Sequence, residues 1–318
     1  MDIAETRNPQ DGRIRLKMEN KNLDIGVSSF PTVHGENLVL MILDKSAVLL
    51  GLAELGFSET ELKNFNKVIK QPNGIILVTG PTGSGKTTTL YSALSTINSI
   101  DKNIITIEDP VEYELPLIRQ TQVNQKAGLT FAVGLRSILR QDPDIVMVGE
   151  IRDKETAEIA IRASLTGHLV FSTLHTNDAA GALSRLLDMG VEPFLISSSV
   201  VAILAQRLVR VICPKCKEKY IPTDEVLKDL KLTTKVEFYR GKGCNSCKNT
   251  GFAGRIGIFE LLLINEDIKN MVVAKSSAAE IKKKAVSSGM ATLFEDGLEK
   301  AKKGVTTVEE ILRVTEEA

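Results

Sequence analysis

Tryptophan is missing from this chain, and aromatic residues of all kinds make up only 4% of its 318 positions. Stacking successive nucleic-acid bases takes a row of aromatic side chains, so single-strand binding of that sort is disfavoured. Neither sign of charge is in excess, because 40 Lys and Arg balance 40 Asp and Glu. The balance removes any global attraction to a polyphosphate backbone, and no nucleic-acid partner is expected. There is no apolar run near the ~18 residues of a membrane span, and Met1-Asp-Ile-Ala-Glu5 lacks the basic start and apolar core of a signal peptide. The expected location is therefore cytoplasmic, with membrane association arising only through partners. Histidines number three and cysteines four, few enough to weigh one by one. The remainder, 43% hydrophobic and 25% charged, is ordinary for a globular chain of two or three domains.

Chemistry first appears at Gly80-Pro-Thr-Gly-Ser-Gly-Lys-Thr87, which fits G-x-x-x-x-G-K-[ST]. Residues 74–79 form a β-branched apolar run of the buried-strand kind, and a helical pattern follows with apolar residues at 90, 91, 94 and 97. Strand, glycine loop and helix in that order mark a nucleotide-binding loop for ATP or GTP. Gly80, Gly83 and Gly85 permit the tight turn that aims backbone N–H groups at phosphate oxygens, with Pro81, Thr82, Ser84 and Thr88 completing the loop. Lys86 is placed to reach the β- and γ-phosphates, and Thr87 to offer its hydroxyl to Mg²⁺.

Around this loop, residues 58–212 alternate short apolar runs with helical patterns, which predicts an α/β fold built on a parallel sheet. Ligands in such sheets sit beyond the carboxyl ends of the strands. Residues 1–46 read as a β-rich piece too small to be comfortable alone, and 47–57 as a linker. Ser58-Glu-Thr-Glu61 is a capping box that opens a helix. The apolar stretch 199–205 reads as a buried helix. Past residue 248 short helical segments are expected, with capping boxes at Ser277, Thr292 and Thr307 and a helical region over 256–318. Within it, Ile281-Lys-Lys-Lys284 reads as a solvated helix face.

Hydrolysis requires carboxylates where the γ-phosphate would lie. Glu108 follows the strand-like Ile104-Ile-Thr-Ile107, and Glu150 follows Asp144-Ile-Val-Met-Val-Gly149. Glu150 is the expected Mg²⁺-side group, acting through water, and Glu108 the group that polarises the attacking water; the sequence leaves these roles exchangeable. His168 and His175 open and close another strand-like run, and their placement at the phosphate edge points to sensing the γ-phosphate.

All four cysteines fall in two pairs, Cys213-Pro-Lys-Cys216 and Cys244-Asn-Ser-Cys247, separated by 27 residues that hold an acidic, helix-compatible insert. Paired C-x-x-C is the spacing that lets thiolates share one tetrahedral metal, so a structural Zn²⁺ module is expected at 213–255. A redox dithiol and plain structural thiols are the competing readings.

Taken together, the loop at 80–87, the acidic box Ile105-Thr-Ile-Glu-Asp-Pro-Val-Glu112, the motif Val148-Gly-Glu-Ile-Arg-Asp153 and the histidine box 166–177 resemble the secretion ATPases of type II secretion and type IV pilus assembly. Arg207-Leu-Val-Arg210 followed by the cysteine module looks most like the type II secretion member. The resemblance implies a RecA-like P-loop NTPase core, a partial PAS-like β-rich segment before it, and a cytoplasmic hexamer docked on inner-membrane platform proteins. It also implies that the chain opens inside the second N-terminal domain. Family members place arginines near 24–28, 35–37 and 40–42 that act on a neighbour's nucleotide, whereas this chain has Gly26, Asn37 and Met41. Arg7 and Arg13 are the substitutes on offer. Three functions follow: an ATP-hydrolysing motor for type II secretion, a pilus-assembly ATPase, or a nucleotide-gated assembly module with negligible turnover.

Overall fold

The computed structural model describes residues 1–18, 21–44, 50–223, 227, 230 and 236–315, with the backbone alone at 13, 15, 17–18, 21–24 and 42–44. It divides into two compact units, residues 1–49 with 112–114 and the remainder.

The smaller unit is an antiparallel meander of β1 (Gln10–Met18), β2 (Lys21–Thr32) and β3 (Gly35–Asp44). Its register places Arg13 opposite Gly26 and Gly26 opposite Met41, so these three positions form one rung across the sheet. The Arg13 side chain lies outside the described residues. Arg7 is exposed and pairs with Glu5 at 3.5 Å.

The larger unit is organised by a seven-stranded sheet containing β4 (Gly74–Thr79), β5 (Ile104–Glu108), β6 (Arg119–Gln122), β7 (Ile145–Val148), β8 (Leu169–Leu174) and β9 (Val200–Ile212). A small hairpin, β10 (Lys217–Tyr220) with β11 (Phe238–Gly241), precedes the seventh strand, β12 (Phe252–Leu263). The order is β12-β9-β4-β8-β7-β5-β6, parallel throughout except for β12. Strands β4, β5, β7 and β8 are buried along their whole length, which explains why apolar residues dominate them without alternation. Each fully covered aliphatic side chain there contributes roughly 1.5–3 kcal/mol of burial.

Helices α1 (Glu59–Val68), α2 (Lys86–Ile97), α3 (Phe131–Ile138), α4 (Lys154–Leu165), α5 (Ala179–Asp188) and α6 (Pro193–Ser199) accompany these strands, and α7 (Glu266–Val273), α8 (Ala278–Ser287), α9 (Leu293–Lys302) and α10 (Val308–Thr315) follow β12. The capping boxes at Ser58, Ser277 and Thr292 are complete, each hydroxyl accepting from the N3 amide while the N3 glutamate returns to the cap. At Thr307 only half forms. Its Oγ1 accepts from the Glu310 amide at 3.3 Å, but the Glu310 carboxylate pairs with Arg210 at 2.8 Å and Arg313 at 2.9 Å.

Two expectations need correcting. The stretch 199–205 is not helical: α6 ends at Ser199, and the apolar run continues to residue 212 as β9, between β4 and β12. Six β-branched residues over 200–212 suit a strand paired on both sides, a preference that neighbouring strands enforce more than local propensity does. Residues 252–263 are likewise a strand, because an antiparallel partner was available in β9. A boundary at 256 therefore falls inside β12, and the cysteine module is an insertion between two adjacent strands of one sheet. The middle of that insert, expected to favour helix, lies largely outside the described residues.

The chain leaves β4 toward β5 on one side of the sheet and leaves adjacent β8 toward β9 on the other, so the crevice beyond the carboxyl ends of β4 and β8 is a topological switch point.

Candidate nucleotide site and cysteine cluster

The glycine loop lies in that crevice, between the end of β4 and the start of α2. Gly80 has φ 149°, and a Cβ there would approach the Gln206 carbonyl oxygen to 2.5 Å and Ser84 Oγ to 2.7 Å. Only glycine fits between the loop and β9. The side chain of Gln206 completes the contact, its Nε2 donating to the Ser84 carbonyl at 2.7 Å. Lys86 crosses its own loop, with Nζ donating to the carbonyls of Gly80 at 2.7 Å and Pro81 at 3.1 Å. Burial pushes the Lys86 ammonium below its ordinary pKa; Glu150 opposes that shift and Arg207 reinforces it. The amine is thus held at the loop by carbonyls that a phosphate would replace. Thr87 and Thr88 follow Lys86 in the first turn of α2, where backbone N–H groups lack intrahelical partners.

Gly149 brings Glu150 to the loop. A Cβ on it would lie 3.3 Å from both Glu108 Cα and the Ile107 carbonyl, so a side chain there would make β5 yield by a few tenths of an ångström. Its amide donates to Ile107 at 2.8 Å, and its carbonyl accepts from Thr173 Oγ1 at 2.7 Å. Beyond it the Glu150 carboxylate is shared between Arg152 Nη2 at 2.5 Å and His175 Nε2 at 3.4 Å. His175 is held below its ordinary pKa by burial and by the Lys86 cation, with Glu150 pulling the other way. Lys86, Glu150 and His175 therefore form one electrostatically coupled group.

Glu108 and His168 bond to other partners. Glu108 is only 3% exposed and accepts from Tyr91 Oη, from Thr106 Oγ1 at 2.5 Å and from Gln120 Nε2 at 3.1 Å. Both of its oxygens are occupied by protein donors. His168 precedes β8 and its Nδ1 lies 2.8 Å from the Ala163 carbonyl. Since β8 runs parallel to β4, Leu169 is level with Gly74 and Leu174 with Thr79. The two histidines thus face opposite edges of the sheet, roughly 20 Å apart at ~3.3 Å per residue, and only His175 is on the loop side. A spacing of seven residues in a strand cannot bring both to one edge.

Sequence reasoning gave no role to Arg152, Gln206, Arg207 or Tyr91. Arg207 is 6% exposed and donates through Nη1 to Gln206 at 3.1 Å and through Nη2 to the Asn177 carbonyl at 2.8 Å. A buried arginine following a glutamine at the end of an apolar run was the available signal, and reading that run as helix hid it.

The four cysteines meet although their pairs are far apart in sequence. Their Sγ atoms all lie within 4.8 Å of one another, with separations of 3.9 Å for Cys213–Cys244, 3.9 Å for Cys216–Cys247 and 3.7 Å for Cys244–Cys247. A tetrahedral thiolate site with ~2.3 Å metal–sulfur bonds has its sulfurs ~3.8 Å apart, so the cluster fits zinc.

A parallel sheet with a phosphate loop at its switch point and coupled Lys, Glu and His groups around that loop defines a P-loop nucleotide-binding protein. The chain matches the type II/IV secretion system protein family over residues 1–313 and belongs to it. It is 54% identical over 320 residues to type II secretion system protein E of Pseudomonas aeruginosa, covering 100% of this chain and 63% of that protein. Against the type IV pilus assembly ATPase PilB of Thermus thermophilus it is 52% identical over 319 residues, covering 99% of this chain and 36% of that one. The chain thus spans less than two thirds of either relative. A crystal structure of the pilus retraction motor PilT with bound ADP superposes with TM-score 0.70 at 28% identity, over 97% of this chain and 78% of the other. Among the described residues, no helix is long and apolar enough to cross a membrane.

Proposed function

We propose that this chain is the catalytic part of a Mg²⁺-dependent ATPase that energises type II secretion from the cytoplasmic face of the inner membrane. The observation that carries this reading is the convergence of Lys86, Glu150 and His175 beyond β4. Loop amides and Lys86 hold the phosphates, and Thr87 with Glu150 holds Mg²⁺, which when bound neutralises charge developing on the β- and γ-oxygens. His175, kept neutral by its surroundings, registers the γ-phosphate through Glu150. Glu108 polarises water only after exchanging at least one of its three protein donors, which makes its role conditional on a change of state. The four cysteines hold Zn²⁺ structurally, since four thiolates leave no open position for chemistry. The motor works as a homo-oligomer, a hexamer by family likeness, on inner-membrane platform proteins. Pilus assembly is a second reading, favoured by the 52% identity to PilB.

The test is the rate of Mg²⁺-ATP hydrolysis per subunit across protein concentrations, with Lys86→Ala as the blank. A specific rate that rises with concentration supports sites completed between subunits. Turnover retained by Lys86→Ala refutes the assigned site, and background turnover throughout favours a nucleotide-gated assembly module.

A further inference from the structure

Five consecutive residues after β8 are each tied to a different part of the larger unit. His175 meets Glu150 at the end of β7. The Thr176 amide donates to Thr79 Oγ1 at 2.8 Å, one residue before the phosphate loop. Asn177 accepts from Arg207 of β9 at 2.8 Å. Asp178 pairs with Lys282 of α8 at 2.9 Å, and the Ala179 amide donates to Glu260 Oε1 of β12 at 2.9 Å. The segment therefore touches the nucleotide group at one end and the C-terminal elements at the other.

Glu260 is wholly buried, and burial raises its carboxyl above the ordinary range. Its Oε2 has no hydrogen-bond partner among the described residues and faces Lys282 Nζ at 3.8 Å. A buried carboxylate is costly unless paired, and here Lys282, the first amide of α5 and the Leu293 backbone all act to hold it. Lys282 was expected on a solvated helix face. Its Nζ instead bridges Asp178, the N-cap of α5, and Glu260 of β12.

We propose that Glu260 and Lys282 are positioning residues for the nucleotide site, holding the 175–179 turn so that His175 meets Glu150 and Asn177 fixes Arg207 beside the phosphate loop. The role rests on the ATPase reading above. Through it α8 gains control of the site: any displacement of that helix moves the Asp178 anchor, and with it the histidine.

The experiment compares Lys282→Met, Lys282→Arg and Glu260→Gln in the full chain. Lys282→Met should lower Tm, because Glu260 loses its cation, and should lower kcat roughly tenfold at a temperature where the variant is folded while KM for ATP stays within about twofold, the pattern of lost orientation without lost binding. Lys282→Arg should restore kcat, and Glu260→Gln, which keeps the acceptor for Ala179, should resemble Lys282→Met. A kcat for Lys282→Met equal to the parent overturns the proposal. So does a loss of kcat that arginine does not rescue, which would mark a purely structural pair. If the parent chain shows no Lys86-dependent turnover, the ATPase reading fails instead. Hydrogen exchange over 175–181 then decides the positioning role, which requires faster exchange in Lys282→Met and not in Lys282→Arg.

Discussion

Glu150 Oε2 lies 3.4 Å from His175 Nε2, joining the end of β7 to the end of β8 directly beside the phosphate loop. The two residues are 25 positions apart, and nothing local brings them together. Adjacent parallel strands do, because strands that pair in register end at the same edge. The contact places a titratable ring against the carboxylate expected to organise Mg²⁺.

Replacing Glu150 by Gln keeps its shape and removes its charge. Hydrolysis should fall by about 100-fold or more in kcat, within the range for loss of a group acting in the transition state. Affinity for a fluorescent ATP analogue should change only a few-fold. Stopped-flow binding beside steady-state turnover separates the two effects, and an equal loss in both would contradict the assignment.

Gly80→Ala probes the loop geometry. With φ 149° and only 2.5 Å to a backbone oxygen of β9, an added Cβ forces the loop or the strand to move. Mg²⁺-ATP should no longer raise Tm, whereas the parent chain should gain about 2.7 kcal/mol at a ligand concentration 100 times Kd. Differential scanning fluorimetry with and without nucleotide reads the difference.

Zinc should be present at one per chain and lost from Cys244→Ser. Stripping it with a chelator should speed hydrogen exchange over 213–255, where the four thiolates are the covalent anchors, and leave exchange at 80–88 unchanged. Elemental analysis and peptide-level exchange check both halves. Equal loosening of the phosphate loop would mean that the module supports the nucleotide site directly.

Acid should unfasten α10. Burial alone would raise the Glu310 carboxyl, but hydrogen bonds from Arg313 and Arg210 outweigh it and bring the group from 4.5 down to about 2. A depressed carboxylate stabilises the fold above its unfolded pKa, and that contribution disappears as pH falls through the window from about 4.5 to 2. The shift corresponds to an upper bound on the order of 3 kcal/mol. Unfolding midpoints of the parent and Glu310→Gln should therefore differ at pH 6 and converge toward pH 2. A constant gap would rule out this group.

The phosphate loop, its flanking strand and helix, and the two cysteine pairs were legible in the sequence because each depends on residues close together in the chain. Glycine spacing, a β-branched run and C-x-x-C carry their geometry with them. Capping boxes at Ser58, Ser277 and Thr292 were legible for the same reason, while Thr307 failed because Arg210, nearly a hundred residues away, competes for Glu310. Strands β9 and β12 were misread as helical because their partners, not their own propensities, made them strands. Tertiary structure alone decided which polar residues share the crevice: it set His175 beside Glu150, turned His168 to the far edge, occupied Glu108 with Tyr91, Thr106 and Gln120, and drew Lys282 onto Asp178. Those choices follow from strand order and register, which depend on non-local backbone pairing that no single segment encodes.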